Sequence, residues 1–255
     1  MDWQPDRYLL FGDERTRPAA DLAARVQVEN PKAAVDLGCG PGNSTEVLRR
    51  RWPGARVLGV DNSPEMIEAA RAACPDGEWM LLGIEQWAPE SRFDVVFSNA
   101  ALQWVPDHGA LVKRLFGCIA AGGALAFQIP SERFSLVRSF IHEIAQEPAW
   151  VARMARPLAL LTMESPGFYY DRLAPSARSL DIWETEYQHV LESHQAIVDW
   201  ISSTGLRPFL EALDTVDERG RFVEQLLERV RESYETRADG KVLYPFRRTF
   251  VIAYA

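Results

Sequence analysis

Three glycines at every second position follow the first apolar run of the chain. The segment from Ala34 to Gly42 reads AVDLGCGPG, and the next apolar run ends at Asp61. A turn without side chains lets the backbone approach a ligand closely and lets the following helix pack tightly. A carboxylate at the end of the second strand can accept hydrogen bonds from both hydroxyls of a ribose. Together these features predict a site for a cofactor that contains a nucleoside.

The charge of this turn separates the possible cofactors. Asp36 lies two residues before Gly38, and the glycines follow a G-x-G-x-G pattern, whereas dinucleotide-binding folds show G-x-G-x-x-G. An acid at the mouth of the turn repels a phosphate and favours a cation. S-adenosylmethionine carries a sulfonium and an ammonium group and has no phosphate. We therefore predict S-adenosylmethionine as the cofactor, and a nicotinamide-dependent dehydrogenase is disfavoured.

Composition excludes several other classes of protein. The 255 residues are 47% hydrophobic, which is sufficient for a packed core, and the net charge of -8 argues against nucleic acid as the main partner. The three cysteines have no C-x-x-C spacing, so we expect neither disulfides nor a metal site. We also expect a cytoplasmic location, where thiols stay reduced. Residues 1–6 are acidic and polar, and the longest nearly apolar stretch is 119–129. We expect no targeting segment and no membrane span.

The hydrophobic pattern alternates short apolar runs with helical segments over the first half, which is typical of βαβ units and a parallel sheet. Strands are predicted at 33–37, 56–60, 78–82, 93–98 and 124–129, and helices at 43–51, 63–73 and 108–118, with another beginning near Pro18. After a helix at 134–146 and a loop-rich stretch, strands are predicted at 178–190 and 246–254. Helices at 194–203 and 219–234 lie between those two strands.

The segments DLGCGPGNST, from Asp36, and FDVVFSNAALQW, from Phe93, resemble the first and fourth motifs of class I S-adenosylmethionine-dependent methyltransferases. This resemblance implies a single α/β domain over 1–255. Its Rossmann-like sheet has seven strands, the last of them antiparallel, with helices on both faces. Segments 131–177 and 191–243 are expected to form helical caps over the active site. S-adenosylhomocysteine is the implied product. The implied cofactor-binding residues are Asp36, Gly38, Cys39, Gly40, Gly42, Asp61, Asn62, Met66, Ile84 and Asn99.

Segments outside the cofactor motifs, at 13–18, 102–108, 181–185, 193–200 and 204–208, are similar to the trans-aconitate 2-methyltransferase family. The similarity implies that a carboxylate of trans-aconitate, or of a similar small polycarboxylate, is esterified. A carboxylic acid is ionised at neutral pH, so we expect positioning alone and no catalytic base. Another carboxylate, hydroxyl or carbon acceptor stays an alternative, as does a non-catalytic S-adenosylmethionine-binding protein. Oligomeric state is not readable from the sequence.

A polycarboxylate requires inward-facing cationic or hydroxyl donors in an acidic protein. The candidate arginines in the family-specific segments are Arg15, Arg17, Arg207, Arg247 and Arg248. We predict that the substrate is bound by Arg17, Gln103, Trp104, Tyr170, Arg207 and Arg247. Two departures from the family stand out. Gly83 occupies the position of an acid that accepts the adenine amino group, which leaves the Ile84 backbone or the Glu85 side chain to replace it. Residues 129–132 read IPSE in place of an expected Pro-Asp-Asn after the fifth strand.

Overall fold

A computed structural model describes residues 12–131 and 135–255, without the side chain of Asp13. Its strands are β1 (Ala33–Leu37), β2 (Arg56–Asp61), β3 (Glu78–Leu81), β4 (Phe93–Asn99), β5 (Ile119–Pro130), β6 (Ser179–Leu191) and β7 (Val242–Tyr254). They form one sheet of seven strands in the order β3-β2-β1-β4-β5-β7-β6. The first five strands pair in parallel, and β7 pairs antiparallel with β5. This arrangement confirms the predicted fold class.

Several of the helices begin at local capping signals. The helices are α1 (Gly12–Arg25), α2 (Asn43–Arg51), α3 (Pro64–Ala73), α4 (His108–Phe116), α5 (Leu136–Ala145), α6 (Val151–Ala159), α7 (Pro166–Leu173), α8 (His194–Ser202), α9 (Arg207–Glu211) and α10 (Val216–Ser233). The Ser63 hydroxyl accepts a hydrogen bond from the N–H of Met66 at the start of α3. Thr215 and Glu218 form a reciprocal capping box at the start of α10. Within the described ranges, none of the helices has the length and apolar content needed to cross a membrane.

Several boundaries differ from the sequence-based predictions. Helix α1 begins at Gly12 and contains Pro18, whereas the sequence placed its start near Pro18. Strand β5 begins five residues earlier than predicted, because Ile119 already pairs with Phe93. Gly122 and Gly123 interrupt the apolar pattern of this strand, so its first residues were not predicted as part of it. Helices α6 and α7 form within the stretch predicted to be rich in loops, since packing stabilises short helices that propensity alone does not. Phe134, at which a helix was predicted to begin, lies outside the described residues, as do residues 1–6 and Glu132.

The chain divides into two compact units. The first contains the residues up to Pro130 together with Thr162–Thr185 and Arg248–Ala255. The second contains Ser131–Leu161 and Glu186–Arg247. In the second unit, the Trp150 and Phe222 rings pack edge to face at 5.6 Å. Helix α7 belongs to the first unit, so the segment 131–177 is not one structural piece.

The core of the first unit lies on the central strands of the sheet. Val35, Leu37, Val96 and Phe127 are completely buried there. Strands β1, β2, β4 and β5 are parallel, so their carboxyl ends share one edge of the sheet. In open α/β sheets this edge is where ligands bind. We call it the carboxyl edge.

Candidate active site

The glycine turn at the end of β1 contains residues with different structural roles. Gly38 and Gly40 both have positive φ angles, of 74° and 54°, which favour glycine. A Cβ atom on Gly38 would lie 2.1 Å from the Cβ atom of Ala101, whereas one on Gly40 would meet nothing within 4 Å. Gly38 therefore allows the turn to pack closely, and Gly40 borders open space that a ligand could fill.

The third glycine of the turn accommodates an aromatic ring. Gly42 has a φ angle of 98°, and a Cβ atom there would lie 2.9 Å from the Trp79 indole. The same indole lies 2.4 Å from a Cβ position on Gly59 and 2.6 Å from one on Gly77. Gly42 was predicted as a cofactor-binding residue; in the structure its missing side chain makes room for Trp79.

Asp61, at the carboxyl end of β2, is held by two backbone groups. Its Oδ2 atom accepts a hydrogen bond from the N–H of Gly40 at 2.9 Å, and its Oδ1 atom accepts one from the N–H of Ser63 at 2.9 Å. Burial raises the pKa of this carboxyl group. The two carboxylate oxygens have about four acceptor sites in total, so the group keeps acceptor capacity for ribose hydroxyls beyond these two contacts. The contact with Gly40 fixes Asp61 beside the glycine turn.

Asp36 is completely buried beneath the turn. Its Oδ2 atom accepts hydrogen bonds from the hydroxyls of Ser44 and Thr45, both at 2.7 Å, and both hydroxyls belong to the first turn of α2. Its Oδ1 atom accepts no hydrogen bond from any described residue. Burial raises the pKa of Asp36 to about 6, and the nearby charge of Asp61 adds to that effect. Asp36 can therefore act on a ligand through its charge rather than through an exposed oxygen.

The other predicted cofactor residues border the same turn or the strand beside it. The N–H of Cys39 donates to the carbonyl oxygen of Val60 at 3.0 Å, while its side chain is buried. Asn62 follows Asp61 and is exposed, and Met66 is buried in α3. The Ile84 side chain lies 3.6 Å from the Cβ position of Gly38. These contacts bring Cys39 and Ile84 to the glycine turn.

The segment after β3 shows what occupies the space beside Gly83. A Cβ atom on Gly83 would lie 2.1 Å from the Gln86 Oε1 atom and 3.1 Å from the Glu85 Oε2 atom. The Arg114 guanidinium donates to the carbonyl oxygens of Ile84 and Trp87, at 2.7 and 2.6 Å. These bonds fix the loop and leave the Gln86 amide oxygen in the space of the missing side chain. Sequence analysis did not identify Gln86.

Asn99 ends β4 within a row of buried polar groups. Its Oδ1 atom accepts a hydrogen bond from the Gln128 amide at 2.7 Å, and its own amide donates to the Arg15 carbonyl oxygen at 3.4 Å. The next residue, Ala100, has a positive φ angle of 55°, which is unusual for a residue other than glycine. Such strain commonly marks functional sites.

Gln103 and Trp104 lie on a single 3₁₀ turn, Leu102–Trp104. The Gln103 amide donates to the Ala100 carbonyl oxygen at 2.7 Å, and its Oε1 atom is buried without a hydrogen bond from any described residue. Trp104 is half-buried. His108 and Tyr169 hold this turn: the His108 Nε2 atom lies 2.8 Å from the Leu102 carbonyl oxygen. The Tyr169 hydroxyl lies 2.5 Å from the His108 Nδ1 atom.

The predicted substrate residues outside that turn have other surroundings. Arg17 is exposed, and so is Tyr170, at 55%, whereas its neighbour Tyr169 is completely buried. Arg207 and Arg247 belong to the second unit. Arg207 pairs with Glu211 at 2.7 Å, and Arg247 pairs with Glu186 at 3.1 Å.

Among the described residues of the first unit, the buried arginines are Arg15 and Arg248, which are 6% and 4% exposed. Sequence analysis named both as candidates but did not choose them. The missed signal was Gln128, a single amide within the apolar strand segment 124–129. A polar side chain in such a strand must find partners in the interior. The Gln128 Oε1 atom accepts a hydrogen bond from the Arg248 Nη1 atom at 3.2 Å.

Comparisons with known proteins agree with this arrangement. A family model described as a methyltransferase domain matches residues 35–127. A trans-aconitate 2-methyltransferase from Methylobacterium radiotolerans is 45% identical over 255 residues, which cover 99% of this chain and 98% of that protein. The solved YcgJ protein of Bacillus subtilis gives a TM-score of 0.61 at 11% identity, with 93% of this chain and 98% of that chain covered. Coclaurine N-methyltransferase bound to N-methylheliamine and SAH gives 0.54 at 14% identity, with 94% and 73% covered.

The two kinds of comparison carry different weight. The solved structures share too little sequence with this chain to indicate more than the fold. The alignment with the Methylobacterium relative extends over almost the whole chain, so the similarity includes both compact units and extends beyond the glycine turn. The methyltransferase domain model covers most of β1, most of β5 and the strands between them, all within the first unit. This chain belongs to the trans-aconitate 2-methyltransferase family.

Proposed function

We propose that this protein transfers the methyl group of S-adenosylmethionine to a carboxylate of trans-aconitate, with the monomethyl ester and S-adenosylhomocysteine as products. The observation that carries the proposal is the 45% identity to a protein of that activity over nearly the whole chain. A similarity limited to the cofactor motifs would indicate only the methyl donor, because one fold serves many acceptors.

The residues at the carboxyl edge fit the proposed cofactor. The open space beside Gly40 is next to the Asp61 carboxylate, which has acceptor sites for the two ribose hydroxyls. Asp36 supplies a negative charge beneath the turn, which favours a cationic ligand and disfavours a phosphate. When bound, S-adenosylmethionine supplies a methyl group activated by a positively charged sulfur.

Adenine recognition requires an acceptor for the exocyclic amino group. Gly83 provides no side chain, and the Gln86 amide oxygen occupies the space beside it. We assign Gln86 this acceptor role, with the loop held by Arg114. The Glu85 carboxylate is farther from that position than Gln86.

The protein does not need to remove a proton from the acceptor. A carboxylic acid titrates near pH 4 to 5, so the acceptor is already ionised at neutral pH. The role of the chain is then to orient the acceptor oxygen in line with the methyl group and to exclude water. Oriented reactants can contribute about 7 to 11 kcal/mol. Gln103 and Trp104 belong to this positioning function, because the hydrogen bonds around His108 hold their turn.

Two further expectations belong to the proposal. The three cysteines, Cys39, Cys74 and Cys118, are free, which supports a reducing, cytoplasmic location. The prediction that helical segments cover the active site stays a prediction. A small anionic acid is the expected partner.

The experiment is methyl transfer from radiolabelled S-adenosylmethionine to a panel of acids: trans-aconitate, cis-aconitate, citrate and isocitrate. We expect a labelled product with trans-aconitate that releases methanol in mild base, as an ester does. Binding of S-adenosylmethionine without transfer to any of these acids would contradict the proposed acceptor. Absence of binding would contradict the cofactor assignment itself.

A further inference from the structure

Three buried side chains and one backbone carbonyl group form a polar row across the interior of the first unit. The Arg248 guanidinium donates to the side-chain Oε1 atom of Gln128 at 3.2 Å, and the Gln128 side-chain amide donates to the Asn99 Oδ1 atom at 2.7 Å. Asn99 donates to the backbone carbonyl of Arg15 at 3.4 Å. All four residues are at least nine-tenths buried. We call Arg15, Asn99, Gln128 and Arg248 the buried polar row.

The row lies at the carboxyl edge, on one face of the sheet. Asn99 is in register with Gln128 across β4 and β5, and Gln128 is in register with Phe250 across β5 and β7. Side chains alternate along a strand, so Arg248 and Phe250 point to the same face. Helix α1, which carries Arg15, contacts β5. Ser98, the residue before Asn99 in β4, donates a hydrogen bond from its hydroxyl to the Leu37 carbonyl oxygen at 2.7 Å. Asn99 therefore lies beside the end of β1, where the glycine turn begins.

The residues of the row include two cations. Arg15 and Arg248 carry guanidinium groups and Asn99 and Gln128 carry neutral amides, in a protein with a net charge of -8. Burying charges is costly, and fixed positive groups in a weakly polar interior act strongly on an anion. Guanidinium groups also match the planar geometry of carboxylates. Arg207 and Arg247, in the second unit, pair with the carboxylates of Glu211 and Glu186.

We propose that Arg15 and Arg248 bind the carboxylates of the acceptor, and that Gln128 and Asn99 orient the Arg248 guanidinium for this contact. The inference rests on the proposed function, because it assigns the acceptor-binding groups of the same reaction. It replaces Arg17 and Arg247 with their neighbours Arg15 and Arg248. The acceptor class is a di- or tricarboxylate anion.

The sequence provides matched controls for both arginines. Arg248→Met and Arg15→Met remove the proposed contacts, whereas Arg247→Met and Arg17→Met remove neighbouring cations outside the row. We expect the first two variants to raise the KM for trans-aconitate about tenfold or more, as the loss of a charge-assisted contact does. The dissociation constant for S-adenosylhomocysteine, measured by calorimetry, should stay within about twofold, and the two controls should change neither constant by more than that.

A purely structural role makes a different set of predictions. If the methionine variants weaken acceptor and cofactor binding equally, the inference is wrong. Arg248→Lys keeps the positive charge but removes the planar guanidinium group. It is the variant to test if Arg248→Met does not fold. We expect this variant to bind the cofactor normally and to lose discrimination between tri- and dicarboxylates; unchanged discrimination would overturn the inference.

Failure of the proposed reaction can be distinguished from failure of this inference. Citrate and tricarballylate are titrated into the protein saturated with S-adenosylhomocysteine, which requires no methyl transfer. Binding to the wild type that is lost in Arg248→Met supports the carboxylate site even if trans-aconitate is not methylated. Equal binding to the wild type and Arg248→Met, or no binding to either, would overturn the inference even if trans-aconitate is a substrate.

Discussion

Replacing Asp36 with asparagine tests whether a buried negative charge lies under the glycine turn. The pKa of Asp36 is raised from its ordinary value of 3.8 to about 6 because the side chain is completely buried. A group with a raised pKa in the folded state contributes stability below its unfolded pKa, and this contribution is lost as pH rises through the folded value. At about 1.4 kcal/mol for each pKa unit, the ionised carboxylate costs the folded protein about 3 kcal/mol above pH 6.

Asp36→Asn removes the charge and keeps an acceptor for the hydroxyls of Ser44 and Thr45. Its new amide N–H group occupies the place of the Oδ1 atom, and an unsatisfied donor costs about 1 to 3 kcal/mol at every pH. The change with pH is therefore the informative quantity. From pH 5 to pH 8, the free energy of unfolding of the variant should rise by about 1 to 2 kcal/mol relative to the wild type.

The assay is urea unfolding of both proteins without cofactor at pH 5 and pH 8, with Asp199→Asn as a control for loss of an exposed carboxylate. A difference between Asp36→Asn and wild type that is the same at both pH values would refute the reasoning. Cofactor titration adds a second test. Affinity of the wild type for S-adenosylmethionine should increase severalfold from pH 5 to pH 7 as Asp36 ionises, and that of Asp36→Asn should not.

Four other changes test separate parts of the structure. Asp61→Ala should weaken S-adenosylhomocysteine binding about 10- to 100-fold in calorimetry. The control is Asp94→Ala, which removes a carboxylate bound to the N–H groups at the start of β1 and should leave this binding unchanged. Equal effects of the two substitutions would contradict the ribose role of Asp61. Gln86→Ala should weaken the same binding about 2- to 10-fold and Gln86→Glu much less, and an unchanged constant in Gln86→Ala would exclude the adenine contact. Tyr169→Phe should reduce the free energy of unfolding by about 1 to 3 kcal/mol at pH 8. Because burial lowers the pKa of His108, its contribution to the free energy of unfolding is present above pH 6.5 and decreases at lower pH. The difference in free energy of unfolding between wild type and His108→Gln should therefore be smaller at pH 5.5 than at pH 7.5. An equal difference at both pH values would contradict this role.

Much of the proposed cofactor site could be predicted from local sequence. Gly38, Gly40 and Asp61 lie at the ends of consecutive parallel strands, and parallel pairing brings those ends together without any further information. Asp36 was also found this way, but its complete burial was not, because burial depends on how α2 packs over the turn. Gln86 could not be predicted as the group beside Gly83, since Arg114 of a distant helix holds that loop.

The acceptor side shows the limit of sequence reasoning more clearly. Arg247 and Arg248 are adjacent, and no local pattern distinguishes Arg247, which we selected from the sequence, from Arg248. Alternation along β7 separates them: Arg248 is buried beside Gln128 and Arg247 pairs with Glu186. The same applies to Tyr169 and Tyr170, where helix packing buries the first ring and exposes the second.

The sequence by itself determined the class of fold, the glycine turn and the acid that follows it, because short-range periodicity and turn chemistry specify these features. The tertiary structure alone decided which arginine is buried, which tyrosine binds His108 and what occupies the space beside Gly83. Those outcomes depend on the register of strands and the packing of helices far apart in the chain. The free energy of such contacts comes from burial and from hydrogen-bond partners that lie far away in the sequence, which a local sequence pattern cannot predict.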